Sequence, residues 1–193
     1  MTVPDQCTAI RSDVCSTPPI DFLASAVSTE KSAIKHDAVI ATPWFGISLG
    51  MRFSGARLVE LDFLAGASDL YPPGQQEQLK TANQLEQYFS APEIDFDMEL
   101  ELHGTPYQQR VWQALREIPA GQTLDYTELA QRLNSSARAV GNACRANPLP
   151  IVVPCHRVVA KSGLGGYMGQ REGEAVDIKR WLLQHEHSRN GKV

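Results

Sequence analysis

Between Ala38 and Leu64 the apolar residues fall in short runs that favour strands. Ala38–Ala41 leads into the turn-rich Thr42-Pro43-Trp44-Phe45-Gly46. Ile47–Phe53 and Leu58–Leu64 then flank Ser54-Gly55-Ala56-Arg57, the pattern of a hairpin. Pro72-Pro73-Gly74 breaks the chain. Leu79, Ala82, Leu85, Tyr88 and Phe89 return at helical spacing, which predicts an amphipathic helix over about Gln76–Phe89. From Glu93 the period drops to two. Ile94, Phe96, Met98, Leu100 and Leu102 alternate with acids, the pattern of a half-buried strand whose acidic outer face reads as a solubilising edge.

After His103-Gly104 the pattern is helical. Thr105-Pro106-x-Gln108 combines an N-cap, a proline at the first helical position and a capping-box glutamine, and Tyr107, Val111, Leu115 and Ile118 mark one face. Asp125-x-x-Glu128 opens a short helix over Tyr126–Leu133. Asn134-Ser135-Ser136 turns the chain, and Ser136 caps a helix over Ala137–Ala146. Two short helices joined by a tight turn suggest a helix-turn-helix, although simple packing of two helices gives the same pattern. A last helix carries Ile178, Trp181, Leu182 and His185 on one face and brings Glu186 near its end.

Ile151-Val152-Val153-Pro154-Cys155-His156-Arg157 holds the chain's clearest chemistry. The β-branched run predicts a buried strand, with Cys155 presented just past its end. His156 and Arg157 offer that thiol an acid-base partner and a cation. The competing reading is a buried, inert cysteine. Downstream, Ser162–Gly169 is a glycine-rich loop without a phosphate-binding pattern.

Composition narrows the class. In 193 residues with 42% hydrophobic and 21% charged content, an ordinary globular protein is expected, and no apolar run approaches a membrane span. Cys7, Cys15, Cys144 and Cys155 show no paired spacing, so neither a disulfide framework nor a thiolate zinc site is expected, and the setting reads as cytoplasmic. Cys7, Cys15 and His36 lack the spacing of metal ligands, and residues 1–36 read as a polar, mobile extension. The net charge is −4, yet the charge is sorted. Tyr126–Lys161 carries Arg132, Arg138, Arg145, Arg157 and Lys161 against Glu128 alone, while Glu93–Glu101 has five acids and no base.

An ordered set of short motifs resembles the O6-alkylguanine-DNA alkyltransferase (methylated-DNA–protein-cysteine methyltransferase) family. The set comprises Gly104–Gln108, Val111-Trp112-x-Ala114-Leu115, Ile118-Pro119-x-Gly121-x-Thr123, Tyr126-x-x-Leu129-Ala130, Arg138–Gly141, Asn147-Pro148, Pro154–Val158, Gly166-Tyr167 and Lys179-x-x-Leu182-Leu183-x-x-Glu186. The match is dense over His103–Glu186 and loose from Thr42. The resemblance implies an α+β chain: an N-terminal α/β domain (37–102) with a small antiparallel, ribonuclease-H-like sheet, then a helix-turn-helix, winged-helix-like domain (103–187) carrying the active site, and a tail (188–193).

The resemblance also implies cofactor-free, irreversible transfer of an alkyl group from guanine O6, and from thymine O4, in double-stranded DNA to Cys155. His156 would act through a water as base and Glu186 would orient it. Tyr126 would rotate the phosphate and protonate the leaving base. Arg138 would replace the flipped base in the stack, with Ala137 and Arg145 also at the DNA, entered from the minor groove. Asn147 would tie the reading helix to the site. The carbonyls of Cys155 and Val158 and the Met168 N–H would read guanine, beside Tyr167, with Pro150 and Arg157 in support. A monomer with no metal and no membrane contact is expected, associated with the nucleoid if prokaryotic. The chain departs from the family pattern at Gln170 and in the inserted Arg171-Glu172-Gly173-Glu174-Ala175. Two other classes compete: a non-enzymatic binder of alkylated DNA, in which Cys155 would be superfluous, and a cysteine hydrolase, for which no oxyanion-hole motif is evident.

Overall fold

A computed structural model describes residues 35–44, 46–66 and 69–187. Cys7, Cys15, the 188–193 tail and almost all of the expected extension lie outside these residues. The order of elements is β1 (Ala38–Ala41), β2 (Ile47–Ser54), β3 (Arg57–Ala65), α1 (Gln76–Ser90), α2 (Pro106–Arg116), β4 (Leu124–Asp125), α3 (Tyr126–Arg132), α4 (Ala137–Arg145), β5 (Val158–Val159) and α5 (Glu174–His187).

β1, β2 and β3 form an antiparallel sheet in that order, and β2 and β3 close the hairpin that alternation predicts, with a register shift at Arg52/Phe53. His36 is not part of a polar tail. It is buried, 3.2 Å from Asp62, and its ring lies so close over Gly50 that a Cβ there would come within 2.6 Å. The two-residue period after Glu93 gives the expected burial pattern without the expected strand. The segment is extended, its apolar residues half-buried and its acids from Glu93 to Glu99 exposed, but it touches the sheet through one bridge, Leu58 to Leu100. Gln84 takes over part of the pairing, bonding both the N–H and the carbonyl of Asp97 at 2.7 Å. Side-chain hydrogen bonds thus satisfy a backbone that has no neighbouring strand.

The two capping boxes form as read. Thr105 accepts from the Gln108 N–H while Gln108 accepts from Thr105, and Asp125 and Glu128 repeat the exchange. These caps fix where α2 and α3 begin, and α2 then clamps the next two helices. Tyr107 reaches Ser135 at 2.7 Å, Arg110 donates to the Leu133 carbonyl at 3.0 Å, and the Trp112 indole donates to the Ala143 carbonyl at 2.9 Å. Leu133 and Ser135 lie in the connection between α3 and α4, so both helices are held at a fixed angle. One apolar core runs from Leu49, Met51 and Leu85 through Trp112 and Leu115 to Ile151 and Leu182. Trp44 joins its halves by edge contacts to Phe63 at 5.6 Å and Trp181 at 5.0 Å.

Trp112→Phe leaves the Ala143 carbonyl unpaired and a small void in this core. It should cost about 2–3 kcal/mol in urea unfolding, whereas a loss below about 1 kcal/mol would mean that the clamp contributes little.

Candidate active site

The run Ile151–Val153 is buried as expected but is not a strand. Pro150 and Pro154 remove a backbone donor on either side, and Ile151 sits at φ +77, a left-handed conformation costly for a β-branched residue. The chain therefore coils. The Val153 N–H donates to the Leu149 carbonyl at 2.8 Å, and Cys155–Arg157 form a single 3-10 turn. β-Branched residues were chosen here for burial and stiffness, and pairing begins only at Val158, parallel to β4. Cys155 is mounted on a buried coil that the N-terminal sheet also holds, since the Leu61 N–H donates to the Pro148 carbonyl at 2.9 Å.

Asn147, just beyond the end of α4, fixes that coil. Its amide donates to the Val153 carbonyl at 2.7 Å and to the Cys155 Sγ at 3.2 Å, and its oxygen accepts from the Leu149 N–H at 3.0 Å. Cys155 is 4% exposed. Burial pushes its thiol up, and the Asn147 hydrogen bond and the Lys179 charge offset only part of this. The resting sulfur is therefore a neutral thiol that needs a base.

His156 is wholly buried, with Nε2 2.8 Å from Glu186 Oε1 and Nδ1 without a hydrogen-bond partner on the protein. An ionised carboxylate only accepts, so the ring proton belongs on Nε2 and Nδ1 keeps its lone pair. Burial lowers the His156 pKa despite the Glu186 hydrogen bond and charge, so the ring is a neutral base at rest. Burial alone would raise Glu186, but the His156 and Arg157 hydrogen bonds and charges hold it well below the usual carboxylate range. Arg157 donates from Nε to Oε2 at 3.0 Å and from a terminal nitrogen to Oε1 at 2.9 Å, and its other terminal nitrogen donates to the Ile118 carbonyl. Its guanidinium is thus committed to Glu186 and not to the thiol, contrary to the expectation from adjacency.

The cation acting on Cys155 is Lys179 from α5. Its ammonium donates to the carbonyls of Val158 at 2.7 Å and Gly166 at 3.0 Å, and burial lowers it to about 8. The Val158 carbonyl expected to read a base therefore already accepts one hydrogen bond and keeps its second lone pair. Lys179 drew no role from the sequence because a lysine on an amphipathic helix reads as surface. Tyr88 and the Gly121 N–H, which reach Glu186 at 2.8 and 3.2 Å, were missed because no local pattern marks partners 98 and 65 positions away.

Cys155 opens into a cleft of about 350 Å³ between α4 and the glycine loop. Ala137, Gly141 and Arg145 line one side, Tyr167 and Met168 the other, and Tyr126 the edge. Tyr167 is buried beside the Cys155 thiol with its hydroxyl lacking a well-formed hydrogen bond. Tyr167 and Gln170 exchange backbone hydrogen bonds of 2.9 Å, and Met168 turns outward at φ +50 between them. Gly169 sits at φ +85, in the left-handed region that favours glycine, and the Arg145 side chain lies close over it. Arg171 also borders the cleft. The Tyr126 hydroxyl is a weak 3.5 Å from the Gly166 carbonyl, and burial followed by the nearby thiols raises its pKa. Arg138 stands exposed on α4 and does not line the cleft, and Pro150 is buried beneath the coil. Among the described residues no group of three or more His, Cys, Asp or Glu is arranged to hold a metal ion.

Residues 106–188 match the family model described as 6-O-methylguanine DNA methyltransferase, DNA binding domain. The methylated-DNA–protein-cysteine methyltransferase of Mycobacterium bovis is 48% identical over 110 residues, covering 55% of this chain and 64% of that protein. The aligned stretch thus spans under two thirds of this relative. The Methanosarcina mazei protein of the same name is 45% identical over 112 residues, 56% of this chain and 68% of its own length. Over the fold, the crystal structure of Mycobacterium tuberculosis O6-methylguanine methyltransferase superposes with a TM-score of 0.68 at 38% identity, covering 82% of this chain and 96% of that one. The structure of the Mycobacterium tuberculosis protein in complex with DNA gives 0.64 at 39% identity, over 78% and 92%. With relatives this similar covered over more than two thirds of their own length, the chain belongs to the O6-methylguanine-DNA methyltransferase family.

Proposed function

We propose that the chain repairs alkylated DNA by direct reversal, moving an alkyl group from guanine O6, and also from thymine O4, to Cys155. The observation that carries this reading is the Cys155–His156–Glu186 arrangement at the floor of a cleft bordered by α4. The sulfur attacks the alkyl carbon in line, an S–C bond forms and the C–O6 bond breaks. The thiol proton passes to His156 Nδ1 through a water, and Glu186 stabilises the imidazolium. Tyr126, kept protonated by burial, gives a proton to the departing base, which leaves as ordinary guanine, and the proton held by His156 passes back through water to the phenolate. The product is a thioether, whose C–S bond water does not cleave. Each molecule therefore reacts once, without a cofactor.

The target atom of a paired base lies within the stack, so the nucleotide is extruded into the cleft. The α3–α4 pair serves as a helix-turn-helix entering the minor groove, where readout is nearly blind to sequence. Ala137, at the start of α4, lies against the backbone, the exposed Arg138 fills the vacated place in the stack, and Arg145 and Arg171 face phosphates at the mouth. Inside, the carbonyls of Cys155 and Val158 and the Met168 N–H read guanine while Tyr167 packs against it. The protein works as a monomer.

Duplex DNA carrying O6-[3H]methylguanine tests the reading. One equivalent of label should remain on the protein at Cys155 and none on Cys155→Ala, whereas tight binding of this DNA without transfer would favour a non-enzymatic binder.

Arg138→Ala should slow repair in duplex about tenfold or more yet leave reaction with free O6-benzylguanine unchanged; equal losses would remove its flipping role. Because burial lowers the His156 pKa, the neutral base persists to lower pH than a free imidazole. The transfer rate should therefore stay level as pH falls through about 6.5 and decline only below it. A decline centred at or above that value would contradict a neutral, buried base.

A further inference from the structure

Tyr88 lies on α1, in the half of the chain before the matched domain, yet its hydroxyl donates to Glu186 Oε1 at 2.8 Å. The same oxygen lies 2.8 Å from His156 Nε2. The phenol ring has little freedom. It meets the Phe89 and His185 rings edge-on at 5.9 and 5.5 Å and Phe96 at 5.6 Å, and His185 Nε2 lies 2.7 Å from the Tyr88 carbonyl. A core position that needed only packing would take phenylalanine, since burying a hydroxyl carries a desolvation cost unless a partner offsets it. Here the partner is the carboxylate of the relay.

Glu186 is shared. Arg157 grips both of its oxygens from one side, and its terminal nitrogen is 2.9 Å from Oε1. That fork forms with His156 in place, so Arg157 fixes one side of the carboxylate while His156 and Tyr88 meet Oε1 on the other. We infer that Tyr88 is a positioning residue for alkyl transfer, fixing Glu186 Oε1 on His156 from the side that Arg157 does not hold. The N-terminal half thereby completes the relay. This inference rests on the proposed transfer chemistry. The groups facing the His156–Glu186 pair are Arg157 and Cys155 on its own turn, Lys179 from α5, Tyr167 from the glycine loop and Tyr88 from α1, with His185 behind the Tyr88 ring.

Tyr88→Phe in the full chain keeps the ring and removes only the donor. Two readouts separate positioning from packing. The rate of transfer from free O6-benzylguanine should fall about tenfold, the effect of losing one charge-assisted hydrogen bond. NMR titration of the His156 ring, which needs no alkyl transfer, should show its midpoint moving to lower pH. The sign follows from the geometry: an imidazolium deprived of its carboxylate is less stable, so it gives up its proton earlier. A rate within twofold of the parent, or a slower rate with an unchanged or raised His156 midpoint, overturns the inference. Absence of transfer by the parent protein would instead count against the proposed function, and the His156 titration would still decide what Tyr88 does.

Discussion

A buried carboxylate survives in a protein interior only when donors surround it, and the site depends on how Glu186 meets that condition. His156, Arg157, Tyr88 and the Gly121 N–H all point at its two oxygens. They come from the turn that carries the nucleophile, from the N-terminal helix and from the loop after α2. The charge thus gathers segments that are far apart in sequence and sets the tautomer of the imidazole beside the thiol. A less fully satisfied Glu186 would take up a proton, and His156 would lose the acceptor that keeps its Nδ1 lone pair available.

The thiol is managed in the opposite way. Cys155 is kept neutral by burial, with Asn147 and Lys179 offsetting part of the penalty. A standing thiolate would react with any electrophile, whereas a neutral thiol beside a neutral base becomes nucleophilic only as the proton leaves. That suits the proposed role of Cys155 as a residue consumed once. Asn147 links this chemistry to the proposed reading helix, because it lies two residues past the end of α4 and also holds the Cys155 coil. A small shift of α4 on DNA would be felt at the sulfur.

Much of this was legible in the chain. Local chemistry announces itself locally: the capping boxes at Thr105 and Asp125, the Ser54–Arg57 hairpin turn and the Ser136 cap each depend on residues within a few positions. The failures share a cause. The Ile151–Val153 run and the segment after Glu93 have strand composition, but a strand also needs a neighbouring edge, and composition does not encode one. In the candidate site, the motif order named Cys155, His156, Asn147 and Glu186, and the fold sets Asn147 against Cys155 and Glu186 against His156. The motif order could not show that Arg157 turns away from the thiol, or that Lys179 and Tyr88 turn toward the site, because each of those depends on packing between distant segments.

The central claim is that the ionised Glu186, through a neutral His156, makes the buried thiol reactive. The most direct measurement is the single-turnover rate of alkyl transfer to Cys155 in Glu186→Gln, in protein shown to be folded by near-ultraviolet circular dichroism. Glutamine keeps the shape and one acceptor but removes the charge. The rate should fall by about three orders of magnitude, comparable to losing the orienting acid of a nucleophile–base–acid triad. A folded variant that transfers within threefold of the parent rate would contradict the account.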